Sequence, residues 1–149
     1  MTKKSLLLAS AVLFIAPMLR AESVEGKMSV SATVVASARL TVESQPGAVD
    51  VTAEDIERGY VDLDAPILLR VQTNSRRGYL LQVANSDDAF SQIEISFGNT
   101  EMRVAHEGWV DRPYVRGGES IAMRARLRLS PLAQPGRRAL PIEVTASAL

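Results

Sequence analysis

From Met28 to Val42 every even-numbered position is apolar: Met28, Val30, Ala32, Val34, Ala36, Ala38, Leu40 and Val42. The odd positions between them are polar apart from Val35. Successive side chains of a strand point to opposite faces, so this rhythm predicts a β-strand; a helix would scatter the same residues around its circumference. At about 3.3 Å per residue the run would extend over about 50 Å. That exceeds one strand of a small sandwich, so a break is expected near Ala36–Ala38, or else the first part projects from the domain.

The rhythm returns along the chain. Ile67, Leu69 and Val71, then Asn74 to Gly78, then Tyr79, Leu81 and Val83 read as two strands around a polar five-residue loop, the pattern of a hairpin. Short strands are expected at Val49–Val51, at Tyr60–Leu63, around Phe90, Ile93 and Ile95 up to Gly98-Asn99, and at Met102–Val104. Ile121 to Leu129 and Leu140 to Ala148 alternate again, the first with Arg124, Arg126 and Arg128 on its polar side. Thr52 to Asp55 reads as a capping box and predicts a single helical turn ending before Gly59. Ala105 to Gly118, holding His106, Trp109, Pro113, Gly117 and Gly118, is the least regular stretch. Roughly eight to ten short strands and almost no helix predict an all-β fold, a two-sheet antiparallel sandwich, with a closed barrel as the alternative.

The start of the chain reads as an address. Lys3 and Lys4 precede an apolar run from Leu6 to Ala16, Pro17 ends it, and Ala21 or Ser23 marks the cut. The other reading is an uncleaved anchor, but the run falls short of the roughly 20 residues a bilayer requires. Residues 1–21 are therefore expected to be a signal peptide and 22–149 a single sandwich domain, with 24–36 as its N-terminal strand. The expected location is the periplasm, the cell surface or the exterior. The 149-residue chain has no Cys, so an exported domain must rest on its core instead of on disulfides.

The charge is balanced, 17 basic against 17 acidic residues, which disfavours nucleic-acid binding. Losing Lys3, Lys4 and Arg20 with the leader leaves 14 basic residues and a net charge of −3. The remainder is polarised: Glu22–Asp64 holds 9 acids and 3 bases, Ala65–Leu149 holds 8 acids and 11 bases. An acidic first part and a basic last part would favour head-to-tail contact between copies.

The alternating N-terminal segment, the export signal and the ending from Pro135-Gly136 through Leu140-Pro-Ile-Glu-Val-Thr-Ala-Ser-Ala-Leu149 resemble bacterial pilin-type domains, such as chaperone–usher fimbrial subunits and spore-coat-U-like secreted domains. The resemblance implies a pilin-like, immunoglobulin-like sandwich lacking one strand, completed by the N-terminal extension of the next subunit. It makes Val24, Met28, Val30, Ala32 and Val34 the partner strand. It makes Gly136, Ile142, Val144, Ala146 and Ala148 the C-terminal edge strand. Gly136 stands where the family often has Gly, whereas Ala148 replaces the usual penultimate aromatic and the common disulfide is absent. Partners implied are other pilin-like subunits or a periplasmic chaperone. The residues alone leave open that 24–36 is simply the domain's own first strand.

Other candidate chemistry is sparse. Trp109 and Tyr114, with Arg70, Arg76 and Arg77, form a possible ligand surface for a surface glycan; Trp109 is alternatively a core plug beneath a long loop. Arg124, Arg126 and Arg128 are read as a solvated face with cross-strand partners such as Glu94 or Glu143. His106 stands alone, Asp87-Asp88 and Asp62-x-Asp64 lack the remaining ligands of a calcium loop, and neither a Gly-x-Ser-x-Gly elbow nor a phosphate-cradling glycine loop occurs. The expectation is no enzyme, no metal and no cofactor.

Overall fold

In the computed structural model, which describes residues 31–149, the alternating N-terminal run becomes strand only at Ala38. The expected signal peptide and the partner-strand positions Val24, Met28 and Val30 lie outside the described residues. From Val34 to Leu149 the chain forms one compact unit. Its elements are β1 (Ala38–Ser44), β2 (Ala48–Val51), α1 (Ala53–Arg58), β3 (Tyr60–Asp62), β4 (Ile67–Thr73), β5 (Tyr79–Asn85), β6 (Phe90–Phe97), β7 (Thr100–Val104), β8 (Glu107–Arg112), β9 (Glu119–Leu129), β10 (Gly136–Ala139) and β11 (Ile142–Ala148).

All strand pairings are antiparallel. The larger sheet runs β1-β4-β9-β6-β7, with β3 also on β9; a second sheet runs β11-β5-β8, and β2 pairs with β10. β9 is long enough to serve two partners on one side: Glu119–Met123 pairs with β4 and Arg126–Arg128 with β3. Inward-facing residues of the two main sheets share one core, with Leu69, Val71, Ile93, Met123 and Leu127 from the larger and Tyr79, Leu81 and Val83 from the smaller all sealed from solvent. Burying each such side chain contributes about 2 kcal/mol.

Two local features differ from the sequence expectation, and a third, the expected strand at Phe90–Phe97, gains a detail. The pair around Asn74–Gly78 is not a hairpin: β4 bonds to β1 and β9, while β5 bonds to β11 and β8. The chain instead arches from one sheet to the other, so that Leu69 and Val71 face Leu81 and Val83 across the core. Alternation looks the same in a hairpin and in such an arch, because each strand still buries every second residue. The irregular Ala105–Gly118 stretch contains β8, whose pattern was hidden by Gly108 at an inward position. A Cβ there would lie 2.9 Å from Val104 Cγ2 and 3.0 Å from Met102 Sδ, so glycine lets β7 and β8 close together. In β6, the shift from even Phe90 to odd Ile93 and Ile95 is a bulge between Phe90 and Gln92 that restores the inward direction.

The helical turn forms as expected. Thr52 caps α1 by accepting from the Asp55 amide at 3.2 Å, and Asp55 accepts from the Thr52 amide at 2.9 Å. Gly59, at φ 80°, ends it in the left-handed conformation. The Asp55 carboxyl is held below its usual range, chiefly by the Thr52 hydroxyl and then by the Thr52 amide, with Arg58 assisting against the opposing effect of burial.

Candidate functional site

Two neighbouring edges of the fold carry the feature that demands explanation. β1 has β4 on one side and β11 has β5 on one side; among the described residues neither has a hydrogen-bonded strand on the other. The two edges lie close, with Cα atoms within 8 Å, yet no ladder joins them. Strand registers fix which side chains face inward. Leu40 stands opposite Val71 and Val42 opposite Leu69; Val144, Ala146 and Ala148 stand opposite Val83, Leu81 and Tyr79.

The inner partners Leu69, Val71, Tyr79, Leu81 and Val83 are completely buried, but Val42 remains 43% exposed, and Ala38, Leu40, Val144, Ala146 and Ala148 are only half-buried. Apolar side chains aimed at the core are thus only partly covered along both edges, Val42 least of all. Unpaired edges with such residues form a template for another strand. At the opposite end β7 and β8 are likewise edge strands with no ladder between them, drawn together over Gly108.

The chain is fixed where it enters β1 and leaves β11. Asn74 brackets the entry: its Nδ2 donates to the Val35 carbonyl at 2.9 Å and its Oδ1 accepts from the Ser37 amide at 2.7 Å. Thr73 Oγ1 adds a bond to the Ser37 carbonyl at 2.9 Å. Just before this bracket Val34 and Val35 are 79% and 76% exposed. At the other end, the buried Ser75 hydroxyl donates to the Leu149 carbonyl and the Leu149 amide donates to the Gly78 carbonyl at 3.2 Å. The loop between β4 and β5 therefore holds both segments. Asn74 and Ser75 carried no signal in the sequence beyond being polar residues of a turn.

The other sequence candidates scatter. Ile142, Val144, Ala146 and Ala148 lie on β11, but Gly136 does not; it opens β10 opposite Val51, at φ 143°. Ala32 and Val34 precede β1 in residues without strand structure. Trp109 is no core plug: it stands on the outer face of β8, opposite Gln82 and 62% exposed. Arg70 lies on the outer face of β4, in the other sheet, so it and Trp109 occupy opposite faces of the sandwich. Arg76 and Arg77 lie between β4 and β5, and Tyr114 lies between β8 and β9. No common ligand surface unites these five residues.

On the outer face of the larger sheet Arg128 pairs with Glu94 at 2.9 Å, as a cross-strand partner should, and Arg126 pairs with Asp62 at 2.7 and 3.1 Å while stacking 4.2 Å from the Tyr60 ring centroid. Glu143 belongs to the other sheet and takes no part. Among the described residues no group of three or more acidic or His side chains is placed to hold a metal, and no helix is long and apolar enough to cross a membrane. In comparisons with known proteins, the chain matches no family model, no curated sequence and no solved structure.

Proposed function

We propose that this chain is an exported, pilin-like subunit that assembles by β-strand addition, with Val24, Met28, Val30, Ala32 and Val34 of one copy laid along the β11 edge of another. The observation that carries the reading is the row of inward-facing but only partly covered apolar side chains on β1 and β11, two edges with no ladder between them. An incoming alternating strand would hydrogen-bond the free edge of β11 and place its apolar positions over Val144, Ala146 and Leu40. The adjacency of β4 with β9 in one sheet and of β5 with β11 in the other favours an immunoglobulin-like sandwich that ends before its last strand. Two strand spacings amount to about 9.6 Å, so a strand lying between β1 and β11 requires those edges to part slightly.

Covering several apolar side chains at about 25 cal/mol per Å² contributes several kcal/mol, and the ladder bonds add to it. Before assembly the same edge would need protection, which fits a periplasmic chaperone as a transient partner. The test is the exported chain run on denaturing gels without heating, alone and with any chaperone it requires. Oligomers that dissociate only on boiling are expected. Deleting Val24–Val35 should abolish them while leaving a domain that binds a peptide of that sequence. Ordinary monomers from the full exported chain under both conditions would overturn the reading.

A further inference from the structure

The two outer faces of the sandwich carry opposite, unpartnered charge. The outer face of β11-β5-β8 presents Glu143, Glu107 and Asp111 around Trp109, with Gln82 and Thr145 in the same cross-strand row and no basic side chain at any outward strand position. The outer face of the larger sheet presents Arg39, Arg70, Arg103, Arg124, Arg126 and Arg128 against Glu94, Glu101 and Asp62. Among the described residues Glu107, Asp111 and Glu143 form no ion pair, and neither do Arg39, Arg70, Arg103 and Arg124. The arginine face also has relief. A cavity of about 720 Å³ opens there, lined by Arg103, Arg124 and Arg126 together with Asp62, Glu94 and Glu101. The acidic face has the matching projection in Trp109.

We infer that these faces form a second, lateral contact between copies of this chain, in which Trp109 of one copy enters the cavity of another beside Arg103 and Arg124, the arginines there that have no ion pair among the described residues. Guanidinium groups stack favourably on an indole face, and Glu107 and Asp111, two positions either side of Trp109, would meet Arg103 and Arg124. The contact joins two different surfaces on opposite faces of the sandwich, so each copy keeps one of them free for a further copy and the contact passes from copy to copy, into a filament or a ring. It is also small. Three strands of about seven residues cover roughly 330 Å² per partner, from the spacings of a sheet, against the roughly 800 Å² usual for a stable complex. Single copies therefore associate weakly, and the contact gains strength only where many copies are already linked. It does not depend on strand addition, because Trp109 lies on the outer side of β8 and the free β11 edge is at the other side of that sheet.

Trp109 is the chain's only Trp, so its fluorescence reports on this face alone. With the full exported chain at low ionic strength, raising the concentration from micromolar to millimolar should shift the emission to the blue and reduce quenching by acrylamide. One molar salt, with a screening length of about 3 Å, should reverse both. Glu107→Lys with Asp111→Lys, or Arg103→Glu with Arg124→Glu, should each weaken the effect at least tenfold, since each places like charges together. An equimolar mixture of the two variants should restore it, because every contact between unlike copies is again complementary. A Trp109 equally accessible at all concentrations would overturn the inference. So would protection indifferent to salt and charge reversal, or protection given by added sugar at constant protein concentration. Oligomers formed by strand addition are read separately, as species that survive one molar salt, so either idea can fail without the other.

Discussion

The Tyr79 hydroxyl donates to the Glu119 carboxylate at 2.6 Å and so ties the start of β5 in one sheet to the start of β9 in the other. Arg112, from the end of β8, pairs with the same carboxylate and lies 5.4 Å from the Phe97 ring centroid of β6. Burial and the bond to Glu119 push the Tyr79 hydroxyl far above its ordinary range. A hydrogen bond to a charged group contributes about 2 kcal/mol, and orphaning its partner costs more. Tyr79→Phe should therefore cost about 2 kcal/mol and Glu119→Ala about 3 kcal/mol, since the latter strands both Arg112 and the hydroxyl. In urea denaturation the double variant should lose about 1 kcal/mol less than the two single losses added together.

Acid should weaken the fold through Glu119 and Asp55. Burial alone would raise the Glu119 carboxyl, but hydrogen bonds from Arg112 and Tyr79 outweigh it and hold it below its usual range; Asp55 is lowered by its Thr52 bonds. Both carboxyls are more acidic folded than unfolded, so the unfolded chain binds protons first as the pH drops. Their stabilisation is complete above the unfolded values near pH 4 and is lost as the pH falls through the lower folded ones. Denaturation midpoints should be flat from pH 8 to about 5 and decline below that. Glu119→Gln should be less stable at pH 7 and show a shallower decline.

Two glycines separate strain from space. Gly78 and Gly117 have φ of 99° and 84°, both in the left-handed region. A Cβ on Gly78 would stand 2.0 Å from the Arg112 carbonyl oxygen, whereas one on Gly117 would meet nothing within 4 Å. Gly117→Ala should cost about 1–2 kcal/mol, the conformational penalty alone. Gly78→Ala adds a clash with backbone and should cost several kcal/mol more, enough to lower soluble yield sharply. Thermal unfolding of the two variants side by side checks the difference.

Much of the layered fold was legible because half-buried strands write their faces into the sequence. The capped turn at Thr52–Gly59 was legible for the same reason: its signal is local. What escaped depends on which strands meet. Leu69, Val71, Leu81 and Val83 alternate identically whether β4 and β5 pair or arch apart. Gly108 broke the rhythm of β8 because the packing of Val104 and Met102 forbids a side chain there. Trp109 was ambiguous because a lone aromatic between polar neighbours fits a loop plug or an outward strand position equally. Of the two open edges, Val144 and Ala146 stood out by alternation, whereas the exposure of Val42 follows only from the absence, among the described residues, of a strand beyond β1.

That exposure separates stability from assembly. Val42 faces inward opposite Leu69 but is 43% exposed, while Leu69 is fully buried. A polar group at Val42 keeps access to water, so Val42→Asp should cost under about 1 kcal/mol, whereas Leu69→Asp buries an unpaired charge and should prevent folding. In an assembled subunit the incoming strand would cover position 42 and desolvate the carboxylate, so the same change should be strongly unfavourable there. A peptide of residues 24–36 should raise the melting temperature of the Val24–Val35 deletion variant by mass action. Adding Val42→Asp to that variant should leave its unliganded melting temperature nearly unchanged and reduce the peptide-induced shift by more than half. An undiminished shift would mean that the added strand leaves position 42 uncovered.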